Sequence, residues 1–170
     1  MKILTLFANH IDRVNRWTGK VVCWLILPLM LSLCYEVIAR YAFNAPTLWA
    51  YDTTYILYGS LFMLGAGYTL LVDQHVRIEA IYSAIPPKMG TIFEIIGYLI
   101  FFFPAIGALL YFGIDFAKES WIVTEQAKSL FAIPIYPFKT VLPVAAFLLL
   151  IQGIAKFAGC LVSLITGRQL

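Results

Sequence analysis

The chain alternates long stretches without charge and short polar clusters. Residues 53–72 and 95–114 carry no Asp, Glu, Lys or Arg. As a helix, each stretch rises about 30 Å, the thickness of a bilayer's hydrocarbon core. Residues 21–35 and 140–155 are also charge-free. The first continues past a lone Glu36 through Val37–Ala39. The second continues past Lys156 to Ile165, with Lys156 placed to snorkel toward the headgroups. The pattern predicts four membrane-spanning helices, at about 21–40, 48–72, 90–114 and 138–165, within one membrane domain over 1–170.

Upstream of the first span, Ile3, Leu4, Phe7, Ile11 and Val14 recur at helical spacing, with Arg13 and Arg16 turned elsewhere. This predicts an amphipathic N-terminal arm over 1–20 that lies in the membrane interface. A cleaved signal peptide is a poor fit, because no small-x-small pattern follows the first apolar run. Asn44-Ala45-Pro46 reads as a turn and Thr47 as a cap for the second span. Asp52 suits that helix's N-terminal dipole. Pro86-Pro87 suit the first turn of the third span, and Pro134, Pro137 and Pro143 mark the approach to the fourth. Pro28 and Pro104 fall inside spans and read as tolerated kinks. The longest extramembrane stretch is Asp115–Lys139.

Composition agrees. Apolar residues make up 62% of the chain and charged residues 12%, against about 25% charged in soluble domains. The mean hydropathy is +0.87. An ordinary soluble domain, a disordered chain and a secreted disulfide scaffold are all excluded, and the fold class is an all-α, four-helix integral membrane protein. With the N-terminus inside, the cytoplasmic side holds Lys2, Arg13, Arg16, Lys20, Arg77, Lys88, Lys156 and Arg168, and the other side only Arg40, Lys118, Lys128 and Lys139. That bias predicts N-in and C-in. The net charge of +3 lacks a long basic cluster, so no nucleic-acid partner is expected. Cys23, Cys34 and Cys160 lie in apolar runs and read as reduced packing residues.

Catalytic chemistry is scarce. His10 and His75 are the only histidines and both lie outside the spans, so axial haem ligation is not expected. No paired-histidine zinc motif, phosphate-binding loop or Cys-x-x-Cys pair occurs, and Gly59-Ser60 lacks a nucleophile context. The chain reads as a non-enzyme without a cofactor of its own. The best spans carry no charge, which argues against a self-contained transport path. Gly59, Gly65, Gly67, Gly97, Gly107 and Gly113 read as close-packing positions. The remaining polar residues are informative. Glu36 and Arg40 are four apart and share a helix face. Trp49 and Asp52 begin the second span, and His75, Arg77 and Glu79 alternate in a polar segment after it.

The order of these motifs carries a resemblance. Glu36-Val37-Ile38-Ala39-Arg40-Tyr41-Ala42-Phe43-Asn44-Ala45-Pro46 precedes Leu48-Trp49-Ala50-Tyr51-Asp52, then Gly65-Ala66-Gly67-Tyr68, then His75-Val76-Arg77-Ile78-Glu79. Pro137-Phe138-Lys139 precedes an apolar helix with Gln152. The set resembles the DctQ-like small membrane subunit of tripartite ATP-independent periplasmic (TRAP) transporters, with Asp52 where that family usually has Glu and Glu79 where it usually has Asp. The resemblance implies a bacterial inner-membrane subunit that scaffolds a large membrane subunit. That partner would carry the substrate path and sodium coupling, and a periplasmic binding protein would deliver an organic acid. It implies interface or structural roles for Glu36, Arg40, Trp49, Asp52, His75, Arg77 and Glu79. Lys118, Glu119, Glu125 and Lys128 are candidates for docking the binding protein. The alternatives are a stand-alone small transporter, or a membrane enzyme or lipid-handling protein. The latter needs Glu36, Glu94 or Asp115 to converge, yet Glu94 and Asp115 bracket the third span at opposite ends.

Overall fold

A computed structural model of the chain describes residues 2–72, 87–129 and 132–166. They form α1 (Lys2–Cys23), α2 (Ile26–Ala42), α3 (Ala50–Leu71), α4 (Pro87–Gly97), a π-helical turn (Tyr98–Phe102), α5 (Phe103–Ile122), α6 (Tyr136–Lys139) and α7 (Val141–Thr166). Four helical stretches are long and apolar enough to cross a membrane: Ala8–Ala42, Ala50–Leu71, Met89–Ile122 and Tyr136–Leu164. Helix is what an apolar environment demands, because it satisfies each backbone N–H and C=O within the segment.

Prolines set the breaks. A proline at position i has no N–H for the carbonyl at i−4, and its ring crowds that carbonyl. Pro28 therefore disturbs Trp24. The Trp24 carbonyl accepts from the Leu27 N–H at 3.2 Å instead, and Leu25 N–H donates to the Val22 carbonyl at 2.9 Å. These tight i→i+3 bonds separate α1 from α2. Pro104 acts on Ile100 in the same way. There the ladder slips to i→i+5, with the Phe103 N–H donating to the Tyr98 carbonyl. Pro143 lies four residues after Lys139, where α6 ends and α7 is about to begin.

Helix boundaries differ from the sequence expectation at three places. The N-terminal arm and the first span form one nearly continuous stretch, broken only at Trp24-Leu25. Within α1 the inward positions are Ile11, Asn15 and Val22, whereas Val14 is exposed. The third span continues past residue 114 to Ile122. Charge alone did not end it: Asp115 and Lys118 pair one turn apart at 3.9 Å. The fourth span is preceded by the separate short helix α6.

Side-chain contacts fix which residues share a depth. Gly19 lies against Tyr68, and Ser32 Oγ lies 3.4 Å from Thr54 Oγ1, so α1–α2 run antiparallel to α3. Phe102 covers Gly153, Tyr98 meets Phe157, and Leu142 lies over Gly113, so α4–α5 run antiparallel to α7. Phe138 covers Gly59 and Leu148 approaches Gly67, which makes α3 and α7 parallel. These registers bring Leu71, Asn15, Gln152 and the π-turn to one level. Beyond it α3 stops, while α1, α4 and α7 continue. At the other extreme, here the turn end, the α2–α3 turn lies beside the loop between α5 and α6.

The main contacts run α2 to α3, α3 to α7 and α7 to α5, with α1 wedged against both α3 and α7. The crossings therefore form a row with α7 as its hub. Ala145, Ala146, Gly153 and Ala155 are buried on α7, and such small side chains let neighbouring backbones approach closely. A side chain at Gly153 overlaps the Phe102 ring, which is itself held edge-on by Tyr98 and Phe103. Gly107 has open space instead. In detergent, Gly153→Leu should lower stability by about 1–3 kcal/mol through overpacking. Gly107→Ala should raise it by about 0.5–1 kcal/mol through reduced chain entropy. Thermal unfolding of the two variants checks both.

Candidate functional site

At the turn end, Glu36 gathers donors from its own helix, α2, and from the turn between α2 and α3. Its Oε1 accepts from Arg40 Nε at 2.9 Å and also from Arg40 Nη2. Its Oε2 accepts from the Thr47 backbone N–H at 3.0 Å and from the Thr47 hydroxyl. A lone carboxylate in a bilayer costs on the order of 3 kcal/mol. This one is compensated by a guanidinium and two uncharged donors. The geometry also corrects the expected role of Thr47. The residue at the α3 N-cap is Trp49, without a side-chain cap, and Thr47 serves Glu36 instead. Asn44 takes φ 54°, a backbone state that Asn tolerates better than most residues, and the Ala45 N–H closes back on the Ala39 carbonyl at 2.9 Å. Tyr35 stacks on Trp49 with ring centroids 5.6 Å apart.

Asp52 looks the other way. It sits in the first turn of α3 and accepts from the Ser129 hydroxyl, tying α3 to the α5–α6 loop. That loop leaves α5 through a tight C-terminal turn: Glu125 N–H donates to the Ser120 carbonyl at 3.0 Å and Thr124 N–H to the Trp121 carbonyl at 3.3 Å. Thr124 has φ 45° in this turn, a left-handed state that costs a β-branched residue about 1–2 kcal/mol. Glu125 holds the turn down. It pairs with Lys139, accepts from Ser120 Oγ at 2.8 Å, and its carbonyl accepts from Ile135 N–H at 3.0 Å. Lys139 also lies 4.0 Å over the Phe116 ring, a cation–π contact.

The four residues expected near the binding protein are thus not one cluster. Lys118 pairs with Asp115 on the exposed side of α5. Glu119 and Glu125 share a cavity of about 340 Å³ with Phe116 and Lys139. Glu125 turns inward to Lys139, and Lys128 is exposed. His75, Arg77 and Glu79 lie outside the described residues.

A second polar group lies at the far level, and sequence reasoning missed it. Gln152 Nε2 donates to Asp12 Oδ1 at 2.8 Å, and Asn15 Nδ2 donates to Gln152 Oε1 at 2.8 Å. Asn15 and Gln152 are each 1% exposed. Among the described residues Asn15 Oδ1 has no hydrogen-bond donor, and it rests against Gly67, where any Cβ would collide with it. The one available signal was a polar Asn and Gln on otherwise apolar faces of α1 and α7. Among the described residues, no three His, Cys, Asp or Glu side chains come together as a metal site.

Hydrogen bonding to Lys139, then to Ser120, holds the Glu125 carboxyl below its ordinary value of 4.5. A lowered folded-state pKa stabilises the loop above the ordinary value, and that stabilisation is lost as pH falls through the lowered one. Trp121 packs on Tyr136 across this loop, with centroids 4.6 Å apart. Acidification through that range should therefore change Trp121 fluorescence in the native chain. The transition should be absent in Glu125→Gln, whose loop is already released.

A family model described as "Tripartite ATP-independent periplasmic transporters, DctQ component" matches residues 29–162, from α2 to near the end of α7. No curated protein matches the chain. The match spans the Glu36 staple, the α3–α7 packing and the Glu125 loop together, and the chain belongs to the DctQ family, the small membrane components of these transporters.

Proposed function

We propose that this protein is the scaffold of its transporter. It holds a large membrane subunit steady while that partner takes up an organic acid, delivered by a periplasmic binding protein, driven by an ion gradient. Sodium coupling and the substrate path belong to the partner. The chain performs no catalysis and holds no cofactor. It lies in the bacterial inner membrane with both termini on the cytoplasmic side.

The observation that carries this reading is the row of crossings. Charge-free stretches at 21–35, 53–72, 95–114 and 140–155 lie side by side, and charged residues lie at the two ends. A row exposes more flank than a closed square of four helices, and breadth is what resists tilting in a bilayer. The arm fits the same purpose. Ala8–Ala42 is 35 residues long, about 52 Å as helix and well beyond the hydrocarbon thickness. Its first turns must leave the apolar layer, and the exposed Arg13, Arg16, Trp17 and Lys20 suit the headgroup region of the cytoplasmic leaflet. At the turn end, Arg40 keeps about half of its side chain exposed while pairing with Glu36. Its free donors are available to the large subunit, Trp49 shapes the same surface through its stack with Tyr35, and Asp52 braces the α3 end from the other side through Ser129. His75, Arg77 and Glu79 are assigned to the cytoplasmic side of the same assembly. Lys118, Glu119, Glu125 and Lys128 are assigned to the binding protein.

The test is co-expression of tagged chain with the large subunit. The large subunit should co-purify, and uptake should require the large subunit, the binding protein and an ion gradient. Purified chain that transports substrate alone would overturn the proposal. Arg40→Ala should reduce recovery of the large subunit and uptake together, while Arg40→Lys, which keeps a charge beside Glu36, should leave the fold of the isolated chain intact and still reduce recovery. Unchanged recovery and uptake would remove Arg40 from the interface.

A further inference from the structure

The exposed face of α1 carries cations and indoles in one stripe. Arg13, Arg16, Trp17, Lys20 and Trp24 fall within about 100° of the helix circumference, opposite the buried Ile11, Asn15 and Val22. Gln152 holds Asp12 and Asn15 from α7 and so fixes the rotation of α1 that points this stripe outward. The three cations are exposed. Asp12 is the only acid before Glu36, and it faces Gln152. Among the described residues no carboxylate pairs with Arg13, Arg16 or Lys20, and neither indole N–H has an acceptor.

The depth of the stripe follows from where charge begins on each flank. Toward the turn end, Glu36 lies one turn outside Ser32, which meets Thr54. On the other flank Lys139 and the neighbouring Asp115–Lys118 pair lie near Gly59, which Phe138 covers. That is about nine helical residues, roughly 13 Å, further in. Toward the far end, Lys20 follows Gly19 at the level of Tyr68, and Leu148 approaches the adjacent Gly67. Lys156 comes eight residues after Leu148, about 12 Å further out. Both edges of the apolar layer are thus displaced in the same sense by a similar distance. A flat layer therefore crosses the row obliquely, within the range of tilts common for membrane helices. On the α1 flank its far edge falls at Lys20, with Arg16 and Arg13 beyond.

The order of groups along this flank matches the order within a phospholipid. Cations come first, for phosphate. The indoles of Trp17 and Trp24, 67% and 70% exposed, come next and suit the ester region. Past the Trp24 break the exposed side chains of α2 include Leu27, Met30 and Leu31, which suit acyl chains. We propose that the α1 stripe is a binding site for anionic phospholipid. Arg13, Arg16 and Lys20 hold the headgroup phosphates, and Trp17 and Trp24 border the chains. The stripe takes its side of the membrane from the orientation proposed above, but the binding does not depend on it.

Native mass spectrometry of the detergent-purified full chain tests this, with phosphatidylglycerol or phosphatidylcholine added at equal concentration. Phosphatidylglycerol should be retained about tenfold more. The triple variant Arg13→Gln, Arg16→Gln, Lys20→Gln should lose that preference, whereas Arg13→Lys with Arg16→Lys should keep most of it. Both variants should melt like the native chain in lipid-free detergent, because the replaced groups are exposed. Only the native chain and the Lys variant should gain thermal stability from phosphatidylglycerol. Equal retention of the two lipids, or a preference that survives the triple Gln variant, would overturn the proposal. So would displacement of phosphatidylglycerol by inorganic phosphate, which marks a site for free anions. If the triple Gln variant keeps phosphatidylglycerol but loses the large subunit, the stripe belongs to that partner and the proposal falls. Failure of the native chain to co-purify with the large subunit strikes the scaffold reading alone, since lipid retention is read on the chain by itself.

Discussion

Lipid gives apolar helices no hydrophobic reason to stay together. This protein depends instead on close fit at its glycines. Gly19 receives Tyr68, Gly59 receives Phe138, Gly113 receives Leu142, and Gly153 receives Phe102. At Gly19, Gly59 and Gly153 a large side chain fills the space a Cβ would need, Leu142 makes ordinary contact over Gly113, and dispersion over many such atoms is what holds the row. Because each contact joins one residue to one partner, together they also set the depth of every helix against its neighbour. The levels of the turn end and the far end follow from them.

Polar contacts then finish what packing begins. Gln152, Asn15 and Ser120 are among the most buried side chains in a protein whose apolar residues largely face outward. This inverts the arrangement of soluble proteins, and the reason is the solvent. In lipid, apolar groups are at ease outside, and polar groups seek each other between helices. The Asn15–Gln152–Asp12 group pins α1 to α7 where α3 ends. The orphaned Asn15 Oδ1 is tolerated because Gly67 leaves room for it beside a Cα, a weak acceptor contact at best.

The sequence exposed the spans readily, since twenty residues without charge have few other uses. It also exposed Glu36 and Arg40, because a pair four apart on a helix needs no tertiary knowledge. Partners distant in the chain were hidden. Nothing local announces that Asp52 meets Ser129, that Glu125 meets Lys139, or that Asn15 meets Gln152 across 137 positions. Prolines were visible but underread. Pro28 and Pro104 looked equivalent, yet one tightened the ladder to i→i+3 and the other loosened it to i→i+5. The difference lies in surroundings: the π-turn can bulge because Tyr98, Phe102, Phe103 and Phe157 form a cluster of rings that holds the widened turn.

On the scaffold reading proposed above, a row of helices with its breaks held by side chains fits a support better than a carrier. Elements that move substrate need broken helices that line a cavity, and backbone irregularity at mid-depth is tolerable only where something re-satisfies it. Among the described residues the helical stretches are interrupted at the Trp24 turn, the π-turn and the short helix α6. The π-turn is sealed by rings, and α6 lies under Phe138 and Lys139 contacts that clamp it to α3 and α5. A break held by such contacts keeps its effect on direction: it steers the next stretch of helix. The same steering brings α1 against both α3 and α7, so the break at Trp24 turns one long helix into two packing surfaces, α2 mainly on α3 and α1 on α3 and α7 together.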